Sequence, residues 1–261
     1  MIYEKARILS QAEISPGIFD MQIGCESAGA AQPGQFVDVY TNDSSKLLPR
    51  PISICDAGEG SLRLVYRVTR PGSGTEALSG YKAGEVIRIT APVGRGYPMD
   101  ELLGRADSGD NIVLLGGGIG IPPMLYLSKK LGGRCAVVLG YRSSDTFLKE
   151  EFENTGARVL IASDDGSVGT RGTVLDALID SGIKADLYCA CGPKPMLRAI
   201  KEHAKKTGVL AYISLEERMA CGVGACLGCV TRTKEVDDHS QVKNARVCVD
   251  GPVFESGEVE L

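Results

Sequence analysis

"NIVLLGGGIGIPPMLYLSKKL", Asn111 to Leu131, decides the fold. Ile112 to Leu115 form the apolar run of a buried strand, glycines follow, and prolines stand where a helix begins. Proline in the first helical turn loses no N–H that the helix needs. Strand, glycine turn and helix together make a unit of a parallel α/β sheet. Glycine lets backbone N–H groups approach a pyrophosphate, and the helix N-terminus favours its charge. The fingerprint is not the full G-x-G-x-x-G, because a proline replaces its third glycine. No acidic residue ends the next strand either; "GYRSSD" places Arg142 and Ser143 there. A nucleotide site is the first reading and a structural tight turn the alternative.

Downstream the same rhythm continues. "CAVVLGY", "ARVLIAS", "ADLYCACG" and "VLAYISL" read as strands, and "TFLKEEFENTG", "TVLDALIDSG" and "PKPMLRAIKEHAKKTG" as helices. The second of these helices shows an apolar face of Val174, Leu175, Leu178 and Ile179. Strands alternating with helices predict a parallel, doubly wound sheet with ligands at the strand carboxyl ends. "CACGPKPM" places Cys191, Gly192 and Pro193 at that edge. A small thiol there can line a nicotinamide, whereas a buried, inert strand cysteine is the bland reading.

Upstream the pattern is all-β. "KARILSQ", "GIFDMQIGC", "GQFVDVYT", "SLRLVYRVT" and "GEVIRITAPVG" are short runs separated by Pro16-Gly17, Pro33-Gly34, Gly58-Glu59-Gly60 and Lys82-Ala83-Gly84. They predict a small antiparallel barrel. "LGRADSGD", Leu103 to Asp110, reads as a connector. Within the barrel, "RPISI" offers the Arg50 guanidinium for a phosphate and the Ser53 hydroxyl for a flavin ring. "YRVTRPGSGT" adds Arg67, then Gly72, Gly74 and Thr75, suited to phosphate contact through backbone amides. Read alone, both motifs favour a solvated arginine and an ordinary turn.

The third region is marked by "MACGVGACLGCVTRTK", Met219 to Lys234. Cys221-x4-Cys226-x2-Cys229, then eighteen residues, then Cys248, is the spacing of a plant-type [2Fe–2S] site. Gly222, Gly224, Ala225 and Gly228 let the loop wrap closely and aim N–H groups at sulfur. Zinc is the main rival, but it usually takes paired C-x2-C knuckles, and only Cys226 and Cys229 form one. A disulfide knot ranks below both.

Composition excludes several classes. With 261 residues, 43% hydrophobic, the chain suits two compact domains and an appendage. A net charge of −4, without a basic cluster, argues against nucleic acid. No apolar run reaches membrane-spanning length, and the N-terminus has no signal-peptide pattern. A cytoplasmic protein is expected. Nine cysteines, unevenly spread, point to metal or redox chemistry in a reducing compartment. His203 and His239 are the two histidines, too few for a histidine-rich zinc site or a Ser-His-Asp hydrolase. Cys25, Cys55, Cys135 and Cys189 read as core residues.

Taken in order, "LPRPISI", "YRVTRPGSGT", "GGGIGIPP", "DDGSVGTRG", "CGPKPM" and "SLEERMACGVGACLGC" resemble the electron transfer subunits of NAD-linked, two-subunit dihydroorotate dehydrogenases, within the ferredoxin-reductase superfamily. The likeness covers essentially the whole chain. It implies an FAD-binding β-barrel over 1–100, an NAD-binding α/β domain over 101–214 and a [2Fe–2S] module over 215–261. It also implies FAD contacts at Arg50, Pro51, Ile52, Ser53, Arg67, Val68, Thr69, Gly74 and Thr75. The NAD side would be Gly117, Gly118, Gly120, Cys191, Gly192 and Pro193. Cys221, Cys226, Cys229 and Cys248 would be the cluster ligands. "DDGSVGTRG", Asp164 to Gly172, reads as a surface loop beside the nucleotide crevice.

The resemblance further implies a partner, an FMN-containing catalytic subunit that oxidises dihydroorotate, in a heterotetramer of two plus two. Electrons would run from that FMN through the cluster and FAD to NAD+ in pyrimidine biosynthesis, with no catalytic acid, base or nucleophile on this chain. An electron-bifurcating NADH:ferredoxin oxidoreductase subunit, or the diaphorase part of a sulfide dehydrogenase or hydrogenase, is the alternative. A non-enzymatic iron–sulfur or zinc sensor of NAD is the alternative from another class.

Overall fold

A computed structural model describes residues 1–238 and 241–261. His239 lies outside the described residues. The first part of the chain closes into a six-stranded barrel, in the order β1 (Ile2–Ser15), β2 (Ile18–Gly24), β5 (Ser61–Arg67), β4 (Arg50–Gly58), β3 (Phe36–Tyr40) and β6 (Val86–Val93). All these pairings are antiparallel. Side chains alternate across a strand, so every second residue points inward. Ala6, Ile8, Met21, Ile23, Leu62, Leu64, Ile87 and Ile89 meet in one buried cluster. Closure removes the free edges that an open sheet would expose. A short helix, α1 (Gly74–Ser79), follows β5, and Ser73 caps it by accepting from the Glu76 N–H.

The second part is a seven-stranded sheet, in the order β10 (Thr170–Arg171), β9 (Arg158–Ser163), β8 (Ala136–Tyr141), β7 (Ile112–Gly117), β11 (Leu187–Cys191), β12 (Leu210–Ser214) and β15 (Val253–Glu255). It is parallel apart from β15, which runs antiparallel to β12. From β7 the chain moves outward through β8 and β9, then returns to β11 on the other side of β7. The reversal opens a crevice between the carboxyl ends of β7 and β11, where open α/β sheets take their ligands. Its helices are α2 (Met99–Asp107), α3 (Ile121–Lys130), α4 (Lys149–Asn154), α5 (Val174–Asp180) and α6 (Lys194–Thr207). α5 starts on a capping box, in which Thr173 accepts from the Asp176 N–H and Asp176 accepts from the Thr173 N–H.

α3 joins the two parts. Residues Ile121 to Ser128 are all buried, because the helix lies between the sheet and the barrel. Tyr126 Oη donates to the Ala31 carbonyl at 2.9 Å, and Lys129 pairs with Asp56 of β4 at 2.5 Å.

Three expectations change. Leu103 to Asp107, read as connector, belong to α2, which buries Leu102 and carries Asp100 and Glu101 in its first turn. The expected boundary at 100/101 therefore falls inside a helix. Ile179, assigned to the apolar face of α5, is 60% exposed. The C-terminal region, expected as an appendage, shares the sheet: after a hairpin of β13 (Val230–Arg232) and β14 (Asn244–Arg246), it supplies β15. Among the described residues no helix is long and apolar enough to cross a membrane.

Candidate redox site at the meeting of three units

The sheet register brings Cys191 opposite Gly116, so the glycine turn and "CGP" share the β7–β11 crevice. Several of these glycines are fixed by packing. A Cβ on Gly117 would stand 2.5 Å from Met196 Sδ, and one on Gly120 would collide with the Cys191 carbonyl. Gly118 differs. It holds φ +55°, and a Cβ there would meet only the Arg67 guanidinium, at 3.8 Å. The end of barrel strand β5 thus faces the glycine turn. Gly192 and Pro193 follow Cys191 into α6, and Pro193 is exposed. Burial pushes the Cys191 thiol up to about 12, against a hydrogen bond with Ser214, so it is a neutral thiol at physiological pH.

On the barrel side, Arg50 opens β4 and its guanidinium lies across the Cα of Gly74. A side chain at 74 would collide with Arg50 Nε. That Nε is buried without a hydrogen-bond partner among the described residues, a donor that suits an anionic ligand. The loop from Arg67 to Thr75 is drawn together by Thr75. Its Oγ1 accepts from the Thr69 N–H at 3.2 Å and lies 3.1 Å from Ser73 Oγ. Pro51 and Ser53 on β4, and Val68 just after β5, are half-buried, whereas Ile52 is turned into the barrel core. Ile52 can therefore approach a cofactor only through its backbone. A buried unpaired guanidinium nitrogen beside a glycine-bared helix start fits a flavin nucleotide's phosphate.

Asp164 to Gly172 lies beyond β9 at the sheet edge, two strands from β7. Asp165 there accepts from the Ser167 N–H and hydroxyl at 2.9 and 2.6 Å. The Asp164 and Asp165 N–H groups donate to the Tyr141 and Arg142 carbonyls at 3.2 and 3.3 Å, which holds the loop to the carboxyl end of β8, next to β7.

The four cysteines come together as two pairs. Cys221 shares hydrogen bonds with the Cys226 thiol and the N–H groups of Val223, Ala225 and Cys226; these outweigh burial and bring it to about 7. Cys229 is lowered to about 6, chiefly by the Cys248 thiol, then by N–H groups of Cys248 and Val247, against the opposing effect of burial. The Cys248 thiol is correspondingly raised by holding the shared proton, and the Gly224 N–H points at its sulfur. Gly228 N–H reaches Cys226 Sγ at 3.4 Å. Among the described residues no three His, Cys, Asp or Glu side chains close on one metal ion. Two thiol pairs within a cage of N–H donors fit the two irons of a [2Fe–2S] cluster.

Residues that the sequence reading missed hold this loop. Arg246 pairs with Asp250 at 3.0 Å and donates to the Gly224 carbonyl at 3.3 Å. Asp38 of β3 is fully buried, its carboxylate pressed against Gly222. Neither Asp38 oxygen has a hydrogen-bond partner among the described residues. Burial, then the charge of Cys229, pushes it up to about 6. Val223, Leu227 and Val249 leave an exposed apolar rim on the module that carries the exposed Cys226, with Val249 packed against Gly224.

The family described as the iron-sulfur cluster binding domain of dihydroorotate dehydrogenase B matches residues 216–260. The chain is 38% identical to the dihydroorotate dehydrogenase B (NAD(+)) electron transfer subunit of Streptococcus mutans serotype c, over 100% of this chain and 99% of the relative. It is 40% identical to the subunit of the same name from Bacillus cereus, over 97% of each. Among solved structures, one from an NADH-dependent reduced ferredoxin-NADP oxidoreductase that performs flavin-based electron bifurcation matches with TM-score 0.82 at 28% identity, over 98% of this chain and 89% of that one. A Neisseria gonorrhoeae ferredoxin NADP+ reductase with bound FAD and NADP matches in fold, with TM-score 0.67 at 14% identity over 83% and 94%. Barrel, doubly wound sheet and four-cysteine module, matched along their whole length, make this chain a member of the family of dihydroorotate dehydrogenase B electron transfer subunits.

Proposed function

We propose that this chain carries electrons from the FMN of a dihydroorotate-oxidising partner subunit to NAD+, by way of its own [2Fe–2S] cluster and FAD. The observation that carries the reading is the meeting of three donor sets: the Arg50–Gly74 cradle, the β7–β11 crevice and the paired cysteines. A two-iron cluster exchanges single electrons, nicotinamide accepts a hydride, and a flavin does both.

The residues have separate tasks. Arg50 binds the FAD pyrophosphate, with Gly74 bare so that the guanidinium can lie flat, and Thr69 and Thr75 close the loop behind it. Ser53, with Pro51, Arg67 and the backbone of Ile52 and Val68, lines the flavin's approach. Gly117, Gly118 and Gly120 hold the dinucleotide beside Arg67. Cys191, Gly192 and Pro193 border the nicotinamide with a neutral, unreactive surface. Cys221 and Cys226 hold one iron, Cys229 and Cys248 the other. Arg142 is exposed after β8, and the NAD preference rests on the relatives' names.

The apolar rim of Val223, Leu227 and Val249 is the face that docks the FMN subunit, since it would otherwise leave hydrophobic surface in water around the cluster. Two such pairs make the heterotetramer, in the cytoplasm, where thiols stay reduced. The units divide as barrel up to the start of α2, nucleotide domain to Ser214 and cluster module beyond. A bifurcating NADH:ferredoxin oxidoreductase subunit is the second reading, favoured by the 0.82 TM-score to such an enzyme.

Co-expression with the FMN subunit tests the choice. The expected outcome is a complex that reduces NAD+ with dihydroorotate, and a deletion strain that needs a pyrimidine supplement. A prototrophic deletion strain and no co-purifying flavoprotein would overturn it.

A further inference from the structure

We propose that Asp38 is a positioning residue for the cluster: a fixed negative charge, held by the barrel against the Cys221–Gly222 loop, that keeps the cluster's one-electron potential low. The inference rests on the cluster reading above. Asp38 lies on β3, opposite Pro51 of the flavin strand β4 and Thr90 of β6. Its flanking neighbours Val37 and Val39 point into the barrel core, while Asp38 turns outward to the cluster module. A side chain at 222 would overlap its carboxylate, so only glycine, at φ +66°, lets the loop come this close.

A buried carboxylate with two unsatisfied oxygens is costly to keep unless something compensates. The neighbours that meet it among the described residues are Pro51 of β4, Thr90 of β6, and Gly222 and Cys229 of the loop, none of them cationic. Such a group in a native protein calls for a role beyond stability. Adding one electron to the cluster adds one negative charge, and an unscreened carboxylate beside the loop opposes that addition. The reduced cluster is thereby the stronger donor, and the barrel strand next to the flavin residues sets its strength.

Two variants test this, Asp38→Asn and Asp38→Leu, with Asp56→Asn as a control carboxylate on another barrel strand. Iron and flavin content, urea unfolding and the cluster midpoint by EPR-monitored redox titration are measured at pH 8. Both Asp38 variants are expected to keep iron, unfold at no lower urea than wild type and raise the reduced-to-oxidised ratio at fixed potential about tenfold, about 59 mV for one electron. Asp56→Asn leaves the midpoint in place. An unmoved midpoint in cluster-loaded Asp38 variants overturns the proposal. So does loss of the cluster in both, which would make Asp38 a structural anchor. A wild-type protein without iron would remove the reading on which the proposal rests, and the proposal with it.

Discussion

Arg50 lies across the Cα of Gly74, closer than any side chain at residue 74 would allow. The relationship links the first residue of β4 to the start of α1, and it holds the buried Arg50 Nε toward a ligand. Gly74→Ala is therefore expected to displace the guanidinium while leaving the barrel folded. The flavin-to-protein ratio after gel filtration should fall at least tenfold, as it should in Arg50→Ala. Full flavin retention in Gly74→Ala would contradict the cradle.

Arg63 of β5 ties the barrel to the α/β domain by donating to Asp20 of β2 at 2.7 Å and to Glu151 of α4 at 2.5 Å. The Arg63 hydrogen bond holds Glu151 below its ordinary value of 4.5, against burial. A depressed carboxylate pKa stabilises the folded state above the unfolded pKa, and that stability is lost as pH falls through the folded one. Arg63→Ala should cost on the order of 2 kcal/mol at neutral pH, discounted because Glu151 is partly exposed. Urea unfolding should show the gap between wild type and variant narrowing below pH 4.5.

Cysteine chemistry gives an internal contrast. Burial raises Cys191 to about 12, so its thiolate is scarce at pH 8, whereas Cys226 is exposed on the loop. In iron-stripped protein, brief iodoacetamide treatment should label Cys226 and spare Cys191, by peptide mass spectrometry. Preferential labelling of Cys191 would mean that it is the activated thiol.

Cys248→Ser should remove the cluster and keep the flavin, because the Arg50–Gly74 cradle is built on β4 and α1 of the barrel, whereas Cys248 follows β14 of the C-terminal module. NADH should still bleach the flavin of this variant, while dihydroorotate-driven NAD+ reduction by the complex falls at least a hundredfold. Loss of flavin together with iron would show that the two sites do not assemble independently.

What the sequence disclosed follows the range of its signals. The Cys221–Cys229 spacing, the β7 glycine turn and the barrel's alternating strands are local patterns, and each is visible within a few residues. Asp38 against Gly222 joins positions 184 residues apart, and nothing near Asp38 marks it as more than one polar residue in a strand. α2 was hidden because Gly104 and Ser108 look like turn residues, while the buried Leu102 that anchors the helix gains meaning only from the sheet beneath it. β15 is three residues long, too short for periodicity, and it exists because the exposed edge of β12 needs a partner.

Anaerobic titration of the purified protein with NADH, followed in parallel by visible absorption and EPR, tests the central claim most directly. The account predicts bleached flavin bands and a one-electron iron–sulfur signal approaching one spin per chain, with two irons and two labile sulfides. A colourless protein, zinc in place of iron, or a reduced flavin beside a cluster that never accepts an electron would contradict it.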